Sequence, residues 1–114
     1  MSGFSGIRKN VGHDFNYFTK VTVTWSAFGG SSADGSSPDL IIPFPTQGLM
    51  LLNEDSTNIV EVSFNGNTLH DELNPAQPSK GIAYDNRVNS LVWLRLKTGS
   101  AGPAIVSVRA WGVR

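Results

Sequence analysis

Two histidines each precede an aspartate, as His13-Asp14 and His70-Asp71, and two acidic pairs, Glu54-Asp55 and Asp71-Glu72, are the other groups suited to moving a proton. A nucleophilic triad needs one of those histidines beside a serine and a carboxylate. Serines are plentiful, but none stands in a G-x-S-x-G elbow or another activating context. Metal binding calls for His-x-His or H-E-x-x-H spacing, and neither occurs, so both histidines read as surface or turn residues. Glycoside hydrolysis needs two acids held a fixed distance apart. Neighbouring acids on a strand point to opposite faces, so neither pair serves alone, and both read as solvated turn acids. The stretch "AFGGSSADG" lacks the Lys-Ser/Thr of a phosphate loop and no helix follows it. The chain has no cysteine, which removes thiol catalysis, disulfide scaffolding and cysteine-bound zinc. No catalytic, cofactor or metal residue is assigned, and the chain reads as a non-enzyme.

Aromatic and cationic residues are the more informative group. In "SLVWLRLKTGSAGPAIVSVRAWGVR" the even positions Val92, Leu94, Leu96, Val106, Val108 and Ala110 make an apolar stripe suited to a core. The odd positions, which should face water, read Leu91, Trp93, Arg95, Lys97, Ile105, Ser107, Arg109, Trp111 and Val113. If the two strands form a hairpin with Lys97 opposite Pro103, the odd face gathers Trp93, Arg95, Ile105, Arg109 and Trp111 in one patch. Aromatics among cations suit single-stranded nucleic acid, but a formal net charge of zero and the lack of any RNA-binding signature speak against it. Exposed indoles also suit sugars. Trp and Arg are enriched at protein interfaces, and a neighbouring subunit would bury such a second face. The plain alternative is that Trp93 and Trp111 lie under loops of the same chain.

These residues need strands to position them, and strand signals dominate. "KVTVTWSA" alternates, with Val21, Val23 and Trp25 on one face and Lys20, Thr22 and Thr24 on the other. "LIIPFP" is limited by Pro43 and Pro45 to an edge strand or a bulged approach. "GLMLLN" reads as a strand buried on both faces. "NIVEVSFNGNTLHDEL" reads as a hairpin with Asn65-Gly66 in a type I′ turn, and "GIAYD" as a short strand. No stretch has helical apolar spacing. About eight short strands between turn signals predict an all-β antiparallel sandwich of jelly-roll type, with an immunoglobulin-like sandwich or a small barrel as alternatives.

A chain of 114 residues is one domain with room for a real core. Its 16% charged residues fall below the roughly 25% of an average soluble domain, so part of the surface is uncharged. No apolar run approaches the ~18 residues of a membrane span, and "MSGFSGIRKNVGHDF" has no apolar core of a secretion signal, which predicts synthesis in the cytoplasm. Residues 21 to 79 carry acids and no Lys or Arg, whereas residues from 86 onward carry Arg87, Arg95, Lys97, Arg109 and Arg114 and no acid. Either folding interleaves and cancels these charges, or the subunit has one acidic and one basic flank suited to head-to-tail contact.

The short strands, the absence of cysteine and the ending "PAIVSVRAWGVR" after "GIAYDNRVNSLVWLRL" make the sequence similar to small virion proteins of tailed bacteriophages, most clearly over residues 57 to 114. The resemblance implies a β-sandwich that repeats around a capsid, neck or tail and works by contact, made in the host cytoplasm and resident in the virion. The expected partners are other virion proteins and copies of itself in a homo-oligomer, with no nucleic acid and no membrane. Residues 1–14 are expected as an extended arm, 15–114 as the sandwich. The candidate subunit interface is Trp93, Arg95, Ile105, Arg109 and Trp111, with Phe4, Ile7 and Arg8 on the arm. The competing expectation is a carbohydrate-binding module that attaches to host-surface glycans.

Overall fold

The computed structural model describes residues 15–32, 37–85 and 90–112. Among them the chain forms eight strands: β1 (Phe15–Val23), β2 (Leu40–Ile41), β3 (Gly48–Asn53), β4 (Val60–Ser63), β5 (Asp71–Leu73), β6 (Gly81–Asp85), β7 (Leu91–Leu96) and β8 (Ala104–Gly112). The only helical element among these residues is a single 3-10 turn, Pro78–Lys80.

The strands make two sheets of four, ordered β1-β8-β3-β6 and β2-β7-β4-β5. Four antiparallel pairings are nested within one another: β1 with β8, β2 with β7, β3 with β6 and β4 with β5. That nesting describes one long antiparallel ribbon. Rolling it until β8 meets β3 and β7 meets β4 closes the two sheets. The result is a jelly roll, the sandwich type expected from the sequence, and neither an immunoglobulin-like sandwich nor a single closed barrel.

Period-two alternation determines what lies between the sheets. Val23, Leu49, Leu51, Val106 and Val108 from the first sheet and Val60, Val62, Leu73, Val92 and Leu94 from the second are completely buried against one another. A fully buried Val or Leu side chain contributes roughly 1.5–3 kcal/mol, so this apolar layer dominates the stability. The polar side chain of Asn53 is fully buried beside them. Asn53 donates through Nδ2 to the carbonyls of Asn58 (2.8 Å) and Leu73 (3.0 Å) and accepts the Asp55 N–H on Oδ1 (2.9 Å), tying the end of β3 to β5 in the opposite sheet. Across the other strand edges, the Tyr84 hydroxyl on β6 donates to Asp71 on β5 at 2.7 Å.

Three local expectations are corrected. The strands of the C-terminal ending are not a hairpin: β7 pairs with β2 and β4, β8 with β1 and β3, and the connection crosses from one sheet to the other. Gly102, at φ +68° and packed against Leu96, turns the chain over the end of the core. The β4–β5 hairpin forms, but its loop spans Phe64 to His70 and is no two-residue turn. Gly66 has the positive φ of +82°, and Asn65 Oδ1 accepts the N–H groups of Asn67 and Thr68, so the side chain organises the longer loop. Finally, β3 is buried on one face only, with Met50 exposed and Leu52 half-buried on the outside. As expected, β2 is a short edge strand. Beyond its two residues, Asp39 Oδ2 accepts the Leu94 N–H (2.9 Å) and the Trp25 indole donates to the Leu94 carbonyl (2.6 Å), so side chains continue the ladder along β7.

Candidate functional site

Because β7 and β8 lie in different sheets, the five predicted interface residues do not form one patch. Trp93 and Arg95 lie on the outer face of the second sheet, whereas Ile105, Arg109 and Trp111 lie on the outer face of the first. Phe4, Ile7 and Arg8, with the rest of the arm, lie outside the described residues.

The outer face of the second sheet is covered largely by its own chain. Arg95 Nε bonds Glu61 Oε1 at 2.7 Å, its cross-strand neighbour, and its guanidinium carbon sits 4.0 Å from the centre of the Phe28 ring in the β1–β2 loop. Lys97 bonds Glu72 at 2.8 Å. Trp93 lies under Gly66 of the β4–β5 loop, where an added β-carbon would stand 3.0 Å from the indole. Among the described residues this side also exposes large apolar groups, the cross-strand pair Ile41 and Leu91 at the β2 margin and Leu69 in the β4–β5 loop.

The first sheet presents a different surface. Its outward residues fall in rows set by the strand register: Thr22 and Ile105; Lys20, Ser107 and Leu52; Phe18, Arg109, Met50 and Ala83; Asn16, Trp111 and Gly48. Phe18 is 52% exposed, Ile105 41% and Met50 39%, an apolar exposure that no described loop covers. The Arg109 guanidinium carbon lies 4.5 Å from the centre of the Phe18 ring. No carboxylate pairs with Arg109 among the described residues. Trp111 lies flat across Gly48, where a β-carbon would overlap the indole, so glycine is what lets the ring settle on β3. Two grooves flank the Phe18–Arg109 stack: one of about 150 Å³ toward Leu52 and Glu54, the other of about 390 Å³ toward Asn16 and Trp111.

Phe18 and Met50 were not among the expected contact residues. Phe18 shares the even parity of Lys20 and Thr22, so carrying the β1 alternation back by one residue pair would have placed it outward. Met50 had no such signal, since "GLMLLN" is apolar at both parities.

Three ion pairs are formed among the described residues: Arg95–Glu61 and Lys97–Glu72 join the basic and acidic stretches of the sequence, and Lys20 meets Glu54 at 3.2 Å, so folding brings these opposite charges together. The Lys20 ammonium, and secondarily the Ser107 hydroxyl, hold the Glu54 carboxyl below its ordinary value. The backbone N–H groups of Asn58 and Thr57 do the same for Asp55, and the bond to Glu72 raises Lys97. Asp39 closes a loop by accepting the N–H groups of Gly29 and Ser31, and His70 Nδ1 accepts the Phe64 N–H at 3.0 Å. These acids and this histidine are engaged in holding turns and strand edges. Among the described residues no three His, Asp or Glu side chains form a group able to hold a metal ion.

No protein-family model matches the chain, and no curated protein matches it in sequence.

Proposed function

We propose that this chain is a non-enzymatic structural subunit of a tailed-phage virion, a capsid-decoration, neck or tail component that works through repeated contacts with copies of itself and with other virion proteins. The observation that carries the reading is the uncovered apolar face of the first sheet, with Phe18, Met50 and Ile105 exposed around Arg109. A small domain that leaves apolar side chains exposed across the middle of a sheet face, with no described loop over them, is suited to burial by a neighbour there. In this reading Met1–Asp14 is an arm over an adjacent subunit, with Phe4, Ile7 and Arg8 as its contacts, and modest interfaces add up through symmetry.

The test is the mass in solution of the full chain and of a chain lacking residues 1–14, by light scattering across concentration and salt. The arm lies before β1, so its removal should leave a folded domain that no longer assembles beyond a weak pair. Unchanged assembly of the shortened chain would contradict the arm contact.

A second reading, attachment to host glycans, is favoured by the groove of about 390 Å³ bordered by Asn16, Phe18, Arg109 and Trp111. It predicts that Trp111→Ala abolishes retention on a glycan array while assembly is unchanged. The aliphatic Met50, Leu52 and Ile105 on the same face favour the protein partner, because sugars need a denser set of hydrogen-bonding groups.

A further inference from the structure

We propose that β1 pairs with β1 of a second copy, antiparallel about a two-fold axis that passes through Thr19 perpendicular to the sheet, joining the two first sheets edge to edge. The pair uses the edge of the sheet and not its outer face, so it stands or falls apart from the contact proposed above.

The described residues have four edge strands, β1, β6, β2 and β5, and three of them are short. β2 has two residues ahead of Pro43 and Pro45, β5 has three, and β6 has five and is tied to β5 through Tyr84 and Asp71. β1 has nine, FNYFTKVTV, with neither Pro nor Gly, and its register with β8 runs unbroken from Phe15↔Gly112 to Val23↔Ala104. Aromatic and β-branched residues favour strand pairing, whereas short length, Pro, bulges and outward charge are what usually keep an edge from pairing. The one charge on β1, Lys20, reaches across β8 to Glu54 just past the end of β3, away from the edge.

The direction of the backbone groups follows from the neighbouring strands. Ile105 and Trp111 on β8 turn their carbonyls to the β3 side, accepting the N–H groups of Glu54 (2.8 Å) and Gln47 (2.7 Å). Successive residues of a strand point their N–H and C=O to opposite sides, so Val106, Val108 and Ala110 face β1 and bond its residues Val21, Thr19 and Tyr17. Phe18, Lys20 and Thr22 therefore aim their N–H and C=O at the open edge, where no described strand lies. An antiparallel partner must set even residues opposite even residues to use these groups. The axis at Thr19 does so and lays all nine residues on their counterparts. Phe18 of each copy then exchanges two N–H···O bonds with Lys20 of the other. On the outer side each lysine stands opposite an aromatic ring, whereas an axis at Lys20 would set like charges opposite one another. On the inner side Tyr17 and Val21, half-buried against the core, stand opposite each other across the joint, and Thr19 meets Thr19. The apolar layer continues from one copy into the next.

Residues 1–14 of the chain itself suit this edge less well. Gly3, Gly6 and Gly12 interrupt them, and their longest run without glycine, Ile7 to Val11, is too short to cover β1. Nine residues span about 30 Å, and with about 10 Å between the sheets the joint buries on the order of 300 Å² per copy, under half of the ~800 Å² per partner of a standard interface. The pair is consequently weak alone and gains strength where symmetry repeats it.

The chain has no cysteine, so single introduced cysteines report the register. Thr19→Cys stands at the axis, where opposed Cα atoms lie about 4.5 Å apart and within disulfide reach. Thr22→Cys stands opposite Asn16 of the other copy and about 20 Å from its own equivalent. The full-length variants, checked for folding by NMR, are oxidised at about 1 mM, where a weak pair is populated, and the linked dimer is followed on non-reducing gels. The expected result is that Thr19→Cys links at least about tenfold faster than Thr22→Cys. Asn16→Cys and Thr22→Cys, both at exposed positions, should link to each other when mixed and only slowly alone. Equal rates at Thr19 and Thr22, or a mixture that links no faster than its components, would overturn the edge pairing. So would linking of Thr19→Cys only after residues 1–14 are removed, which would assign the edge to the arm. None of these results moves the outer-face contact, because Met50 lies outside the joint.

Discussion

Arg109 lies over Phe18, its guanidinium carbon 4.5 Å from the ring centre, and forms no ion pair with a carboxylate among the described residues. Arg95, at the corresponding outward place on the opposite sheet, also lies over a phenylalanine but is paired with Glu61 at 2.7 Å. The two arginines differ in that one is paired with an acid of its own sheet and the other, among the described residues, is not.

Asn53 is the polar keystone of one end of the sandwich. Replacing it with leucine should destabilise the fold by about 2–4 kcal/mol, because the carbonyls of Leu73 and Asn58 and the N–H of Asp55 lose their partners together. Urea unfolding of the variant against the original chain measures this.

Trp25 closes the edge of β7 in two ways, its indole bonding the Leu94 carbonyl and its own carbonyl accepting the Leu96 N–H. Trp25→Phe keeps the second bond and most of the packing but leaves the Leu94 carbonyl unpaired. A loss of about 1–3 kcal/mol in thermal or urea unfolding is expected.

Acid should weaken the fold through Glu54 and Asp55. Both carboxyls are held below their ordinary values of 4.5 and 3.8, so each stabilises the folded state above its unfolded pKa and loses that effect as pH falls through its folded one. Stability should therefore decline from about pH 4.5 downward. In Asp55→Asn, measured by unfolding at a series of pH values, this decline should be shallower. At the alkaline end, Lys97 is raised by Glu72, so its contribution holds below the ordinary lysine value and fades as pH rises past it.

Strand identity was legible in the sequence because alternation is a local property. Val92, Leu94, Leu96, Val106, Val108 and Ala110 are buried as their parity requires, and "GIAYD" is β6 to the residue. The pairing of strands was not legible. Two successive strands that present the same parity to a core can be neighbours in one sheet or face each other across the sandwich, and alternation is identical in both cases. That ambiguity joined Trp93 and Arg95 to Arg109 and Trp111 in a single patch, where the jelly roll places them on opposite outer faces. Turn length had a similar limit: Asn65-Gly66 marks a turn, but the Asn65 side chain, accepting from Asn67 and Thr68, makes the loop longer than the dipeptide suggests.

In the proposed assembly the first sheet's outer face, and not the second's, is the contact surface. Light scattering as a function of concentration, on the original chain, Met50→Lys and Trp93→Ala, separates the two faces. Met50 is exposed on the first face and Trp93 lies beneath a loop on the second. The expected result is association beyond the β1 pair, abolished by Met50→Lys and retained in Trp93→Ala. Association lost in Trp93→Ala and kept in Met50→Lys would contradict it.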